Sequence, residues 1–168
     1  VLAGKKEKRR VGYLAKELLG KVPVGISNRH IHLSQQDLET LFGAGYELTI
    51  RKDLSQTGQY AAEETLTIEG PKSALQRVRI LGPTRNETQV EVSRTDAFAL
   101  GIQPPVRDSG SLDSSPGLTL VGPKGKVELK QGVIIAQRHI HMSEEDAETF
   151  GVKDKELVMV RTGGDRGV

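Results

Sequence analysis

The chain has 168 residues and a net charge of +2, with 24 Lys and Arg against 22 Asp and Glu. That length fits one compact domain or two small ones, and with 36% apolar but only 4% aromatic residues any core must be aliphatic. The lack of cysteine excludes disulfides, cysteine nucleophiles and thiolate metal sites, and fits a cytosolic protein.

The start carries Lys5, Lys6, Lys8, Arg9 and Arg10 with no apolar run behind them, so it does not read as a secretory signal. No stretch approaches the roughly 18 apolar residues of a membrane span. Residues 1–21 hold seven Lys and Arg against Glu7 and Glu17, which leaves the rest of the chain net negative. A nucleic-acid surface wants its basic patch on the fold, with aromatics for stacking, so nucleic acid is not an expected partner. Val11, Leu14, Leu18 and Leu19 recur at helical spacing. They predict a basic leading helix over 1–17, packed on the body or docked to another protein.

Beyond it, strand-like runs are predicted at 46–51, 64–69, 76–81, 88–93, 118–121, 126–130, 132–137 and 156–161. Many are bounded by turns such as Gly70-Pro71, Gly82-Pro83 and Gly122-Pro123. Short strands with regular turns predict a mainly β chain of small barrels or sandwiches. Residues 103–117, rich in Pro, Ser, Gly and Asp, read as a surface connector.

The chain repeats itself. Arg29-His30-Ile31-His32 recurs as Arg138-His139-Ile140-His141, and each copy runs on to a serine and an aspartate, Ser34 and Asp37 or Ser143 and Asp146. A fainter third copy, Ser93-Arg94-Thr95-Asp96, has Gly70-Pro71-Lys72 ahead of it as Gly122-Pro123-Lys124 stands ahead of Ser143. Ser at the N-cap accepts a backbone N–H, and an acid three residues on suits the positive helix end. Gly43, Gly101 and Gly151 then close helices of about two turns. Each copy is therefore expected to be a strand that runs into a short capped helix, with a site assembled where the strand ends.

All four histidines lie in the two Arg-His-Ile-His copies. Residues i and i+2 of a strand face one side, about 6.6 Å apart along the chain. Two imidazoles so placed can converge on one metal. One His-x-His is a weak sign, since two surface histidines look the same; two copies that use the whole histidine supply make metal binding the expectation. His32 and His141 precede their cap serines by two residues, and Glu91 precedes Ser93 by two. Glu91 thus takes the ligand position of the third copy. The five candidates His30, His32, Glu91, His139 and His141 exceed one tetrahedral zinc site and predict two metals with open positions. Arg85, in the turn that feeds the Glu91 strand, can reach the same site, and its planar fork suits phosphate. Arg29 and Arg138 face away from the histidines and read as structural or subunit contacts. The last residues, 162–168, follow directly on a strand, so the second half reads as cut short.

These residues carry a family resemblance. From about residue 22 onward the chain resembles the PduL-type phosphate propanoyltransferases, the metal-dependent phosphotransacylases of bacterial microcompartments. The resemblance rests on the residues around His30 and His32, Gly82-Pro83-Thr84-Arg85, the run from Val90 to Asp96, and Gln137-Arg138-His139-Ile140-His141. It implies two small β-barrels with short capping helices, one over 29–136 and the other built from 18–28 with 137–168. It implies two zinc ions per chain, one held by Glu91, His139 and His141 where the coenzyme A sulfur arrives. The other would be held by His30 and His32 with a later histidine that has no counterpart in this sequence. Arg85 would bind phosphate. The implied reaction is reversible transfer of a propanoyl or similar short acyl group between coenzyme A and phosphate. The implied setting is the bacterial cytoplasm, inside a microcompartment, as a homodimer or larger assembly, with shell or lumen proteins as partners of the leading helix. Two other readings of the residues are a zinc-dependent thioesterase or hydrolase and a non-enzymatic metal-binding barrel. The first lacks the Asp-His continuation of metallo-β-lactamase-like sites after His32, and the second would keep its Glu close to a His pair in sequence.

Overall fold

The computed structural model describes residues 20–161; the leading helix expected over 1–17 lies outside them. Two compact units divide the chain, Ile26–His139 and Val1–Gly25 with Ile140–Val168. All nine strands among the described residues belong to the first. In order they are β1 (His30–His32), β2 (Ile50–Asp53), β3 (Tyr60–Glu69), β4 (Ala74–Gly82), β5 (Gln89–Glu91), β6 (Val106–Arg107), β7 (Thr119–Val121), β8 (Lys126–Glu128) and β9 (Val133–Ala136). Helix α1 (Gln35–Phe42) follows β1 and α2 (Arg94–Leu100) follows β5, while α3 (Glu144–Phe150) belongs to the other unit.

The strands make one sheet in the order β6-β9-β5-β1-β4-β3-β7-β8, with β2 paired to β3. The mainly β expectation holds, and no pairing among the described residues closes this sheet into a barrel. Its centre mixes directions: β1 runs parallel to β4 and antiparallel to β5, and β5 runs parallel to β9. A β-branched and aliphatic core of Ile31, Leu33, Leu66, Ile68, Ile80, Val90 and Val133 packs behind it.

The serine caps form as the repeat requires. Ser34, Ser93 and Ser143 each accept a hydrogen bond from the backbone N–H of Asp37, Asp96 and Asp146, at 3.1, 3.0 and 3.0 Å. Asp96 also returns a bond to the Ser93 N–H and completes a capping box. Gly43, Gly101 and Gly151 end the three helices with positive φ, where a Cβ would be strained. Leu38, Leu41 and Phe42 carry α1 into the core.

The Gly-Pro-Lys echo has a structural cause. Each copy is the tip of a hairpin that seals the end of one helix. Lys72 donates its N–H to the Leu100 carbonyl of α2, and Lys124 donates to the Leu41 carbonyl of α1, both at 3.0 Å. These carbonyls are among the unpaired acceptors that a helix end leaves. Glycine is needed because the tip backbone touches the helix: a Cβ on Gly122 would stand 2.6 Å from the Leu41 oxygen, and one on Gly70 would run into the Leu100 oxygen.

Three strand expectations change. Residues 46–49 are irregular and only the end of that run joins β2. Residues 137–143 and 156–160 form no strand element, because alternation does not make a strand where no neighbour supplies a ladder. The second His pair therefore follows β9 without being on it. In the connector 103–117, by contrast, Val106 and Arg107 find a parallel partner in Ile135 and Ala136.

Gly122→Ala should destabilise the protein by about 1–3 kcal/mol, since the hairpin tip must move off α1. Gly25→Ala, where a Cβ meets nothing within 4 Å, should stay near wild type. Urea unfolding of both variants measures the difference.

Candidate functional site

Cross-strand register builds the site. In the antiparallel pair of β1 and β5, His30 stands opposite Glu91, Ile31 opposite Val90 and His32 opposite Gln89. Opposed residues share a face of the sheet and neighbours along a strand do not. Ile31 and Val90 therefore go to the core, while His30, His32, Gln89 and Glu91 gather on the other face.

There the ligand atoms of His30, His32 and Glu91 all lie within 4.8 Å of one another. His30 Nε2 is 3.4 Å from Glu91 Oε2. His30 Nδ1 lies 2.9 Å from the Asn28 carbonyl. A carbonyl only accepts, so Nδ1 carries the hydrogen and Nε2 faces the cluster, bare in the neutral ring and a donor to Glu91 once the ring is protonated. His32 Nδ1 is buried with no hydrogen-bond partner. Two imidazole nitrogens and a carboxylate that face one another fit a cation such as zinc, and the buried His32 ring keeps one nitrogen without a hydrogen-bond partner.

Arg85 lies in the loop after β4, fastened by its N–H to the Leu33 carbonyl at 2.8 Å. It is half-buried, and its guanidinium donates to Ser109 Oγ at 3.2 Å. Arg29 pairs with Asp96 of the α2 cap at 3.3 Å, the structural contact its position implied. His139 is exposed at the end of the first unit, with Nδ1 2.6 Å from the Gln137 carbonyl. This repeats the bond of His30 to Asn28. His141 is exposed in the other unit, two residues before Ser143. Among the described residues, the three that converge as a metal-type cluster are His30, His32 and Glu91.

Two neighbours escaped the sequence reading. Gln89 is 1% exposed and donates to Glu91 Oε1 at 2.6 Å and to Ser109 Oγ at 2.8 Å. Its place two residues before Glu91 was a period-two signal, masked because glutamine is not a typical ligand. Ser109, in the connector, accepts from both Gln89 and Arg85 beside the cluster. Nothing in its local sequence marks it.

The electrostatics follow from this packing. Burial pushes His32 down to about 3, helped by the positive charge of Arg85. Burial would also lower His30, but its hydrogen bond and charge attraction to Glu91 outweigh that and raise it. Burial would raise Glu91, yet bonds from His30 and Ser109 and the imidazole charges hold it well below the usual carboxylate range. Burial lowers Arg85, against the attraction of Glu91.

Comparison with known proteins places the chain in a family. Residues 23–168 match the family model of phosphate propanoyltransferase. A phosphate propanoyltransferase of Thermotoga maritima is 62% identical over 89% of this chain and 73% of its own length. One of Rhodopseudomonas palustris is 58% identical over 88% of this chain and 65% of its own length. One of Salmonella typhimurium is 54% identical, over 88% and 70%. The chain thus spans about two thirds to three quarters of the length of these relatives.

The cluster predicts a pH dependence for the metal-free protein. Below pH 6.5 the unfolded chain protonates His32, whereas the folded protein does so only near pH 3. The unfolded state binds more protons in that window, so stability falls as pH falls, by about 1.4 kcal/mol per pH unit well below 6.5. Glu91, lowered from 4.5, adds a second such slope below that pH, and His30, protonated in both states there, adds none. Urea midpoints of chelator-treated protein should drop from pH 6.5 to pH 5, and His32→Asn should flatten the drop.

Proposed function

The chain belongs to the phosphate propanoyltransferase family, and from that premise we propose that it moves a propanoyl or similar short acyl group between coenzyme A and inorganic phosphate. The observation that carries the reading is the convergence of His30, His32 and Glu91 within 4.8 Å, with the Arg85 guanidinium joined to it through Ser109 and Gln89. A phosphate dianion attacking a thioester needs a cationic cradle, and these groups supply one that is partly shielded from water.

In the forward direction a phosphate oxygen attacks the thioester carbonyl carbon. The carbon–oxygen bond forms, the carbon–sulfur bond breaks, and coenzyme A leaves as a thiolate with the bonding pair. Arg85 can hold two phosphate oxygens with its fork and direct the third at the carbonyl. Its charge also offsets that of the anionic transition state. His30, fixed by Asn28, and His32, with its orphaned Nδ1, would hold one zinc ion, and His139 and His141 a second, with Glu91 as the acidic ligand. The resemblance gives Glu91 to the second pair; its 3.4 Å contact with His30 supports a place beside the first. Bound zinc supplies Lewis acidity, which keeps a coordinated thiolate deprotonated near neutral pH and polarises the acyl carbonyl. Because phosphate is the nucleophile, no cysteine is needed.

The same reading carries two barrel domains, 29–136 and 18–28 with 137–168, and a homo-oligomer of them. It also carries a microcompartment setting in which residues 1–17 dock on shell or lumen proteins. Support for these comes from the family resemblance alone.

Thiol release from propanoyl-coenzyme A should require phosphate. Release without phosphate would make the protein a thioesterase, and zinc binding without turnover a binding module. Arg85→Lys keeps the charge but loses the fork, so the apparent KM for phosphate should rise about tenfold while that for acyl-coenzyme A stays close to wild type. Glu91→Gln should lose about one zinc per chain by elemental analysis, with the fold retained by circular dichroism.

A further inference from the structure

We infer that Gln89 is a positioning residue which locks the Glu91 carboxylate toward the metal cluster and ties it to the Ser109–Gly110 turn of the connector. The inference rests on the zinc reading above and concerns a side chain that reading does not use.

Gln89 is 1% exposed on β5, opposite His32. Both hydrogens of its amide are used, one on Glu91 Oε1 at 2.6 Å and one on Ser109 Oγ at 2.8 Å. Its oxygen accepts the Gly110 N–H at 2.7 Å. The amide has only this orientation. Flipped, its oxygen would face a carboxylate and its NH2 would face an N–H. The Gly110 N–H can turn inward because Gly110 holds φ at 91°.

The consequence falls on Glu91. A carboxylate on a two-carbon arm can swing, and a swinging ligand binds metal weakly. Oε1 is occupied by Gln89. Oε2 is left facing His30 Nε2. Ser109 is fixed in turn by accepting from both Gln89 and Arg85. One amide therefore sets the acidic ligand, the loop over it and a partner of the phosphate-side arginine. Outer groups that orient metal ligands are commonly worth 10–100-fold in metal affinity.

Gln89→Met keeps the volume and removes all three bonds. Zn2+ affinity of the full chain, measured by competition with a chromophoric chelator, should weaken about 10–100-fold, and hydrogen exchange at the Gly110 amide should quicken. Should the methionine variant fail to fold, Gln89→Asn keeps an amide too short to bridge Glu91 and Gly110, and should weaken Zn2+ binding likewise. A purely structural role would lower the unfolding midpoint alone. A folded variant that binds Zn2+ within about twofold of wild type overturns the proposal while leaving the zinc reading standing. Wild-type protein that binds no Zn2+ removes the zinc reading and the proposal with it.

Discussion

The pairing of β1 with β5 is the constraint on which the site depends. It sets His30 opposite Glu91 and His32 opposite Gln89. Since side chains alternate with period two, a slip of one residue would turn all four polar groups into the core and bring Ile31 and Val90 out. Burial of those two apolar residues, both fully inaccessible, therefore fixes the metal-type cluster as firmly as any contact among the polar groups themselves. Hydrophobic register and site geometry are one decision.

Placing such a cluster in a buried position is costly, because charged groups lose water there. The structure offsets the cost with directed bonds. Asn28 fixes the His30 ring, Gln89 holds Glu91, and Ser109 joins Gln89 to Arg85. What stays unsatisfied is the buried His32 Nδ1. Two imidazoles and a carboxylate gathered in this way are shaped to accept a cation. The Arg85 guanidinium near it suits an anionic substrate arriving beside that cation.

The helices serve as anchors for this sheet. Ser34 begins α1 two residues after His32, and Ser93 begins α2 two residues after Glu91. Each cap stops its strand at the same distance from the ligand, which is why the repeat places ligands and serines in register. The hairpin tips at Gly70 and Gly122 seal the far ends of α2 and α1. The duplicated sequence thus encodes two matched clamps around one cluster.

Much of this was legible in the residues. The caps, the helix stops, the Gly-Pro turns and the candidate ligands are local patterns, because capping bonds span three residues and a strand face repeats every two. Even Glu91, far in sequence from either histidine pair, was marked by its distance from Ser93. Other features have no local signal. A strand exists only through its neighbour, so the second His pair and residues 156–160 read as strand and are not, while the short β6 within the connector is one. Ser109 and Gln89 became site residues only when the connector folded back onto β5. The sequence by itself determined which residue types could bind metal and where each strand must stop. Only the tertiary structure decided that Glu91 faces His30, which Ser closes the network and that the sheet stays open, because those depend on pairing between segments that no short-range bond joins.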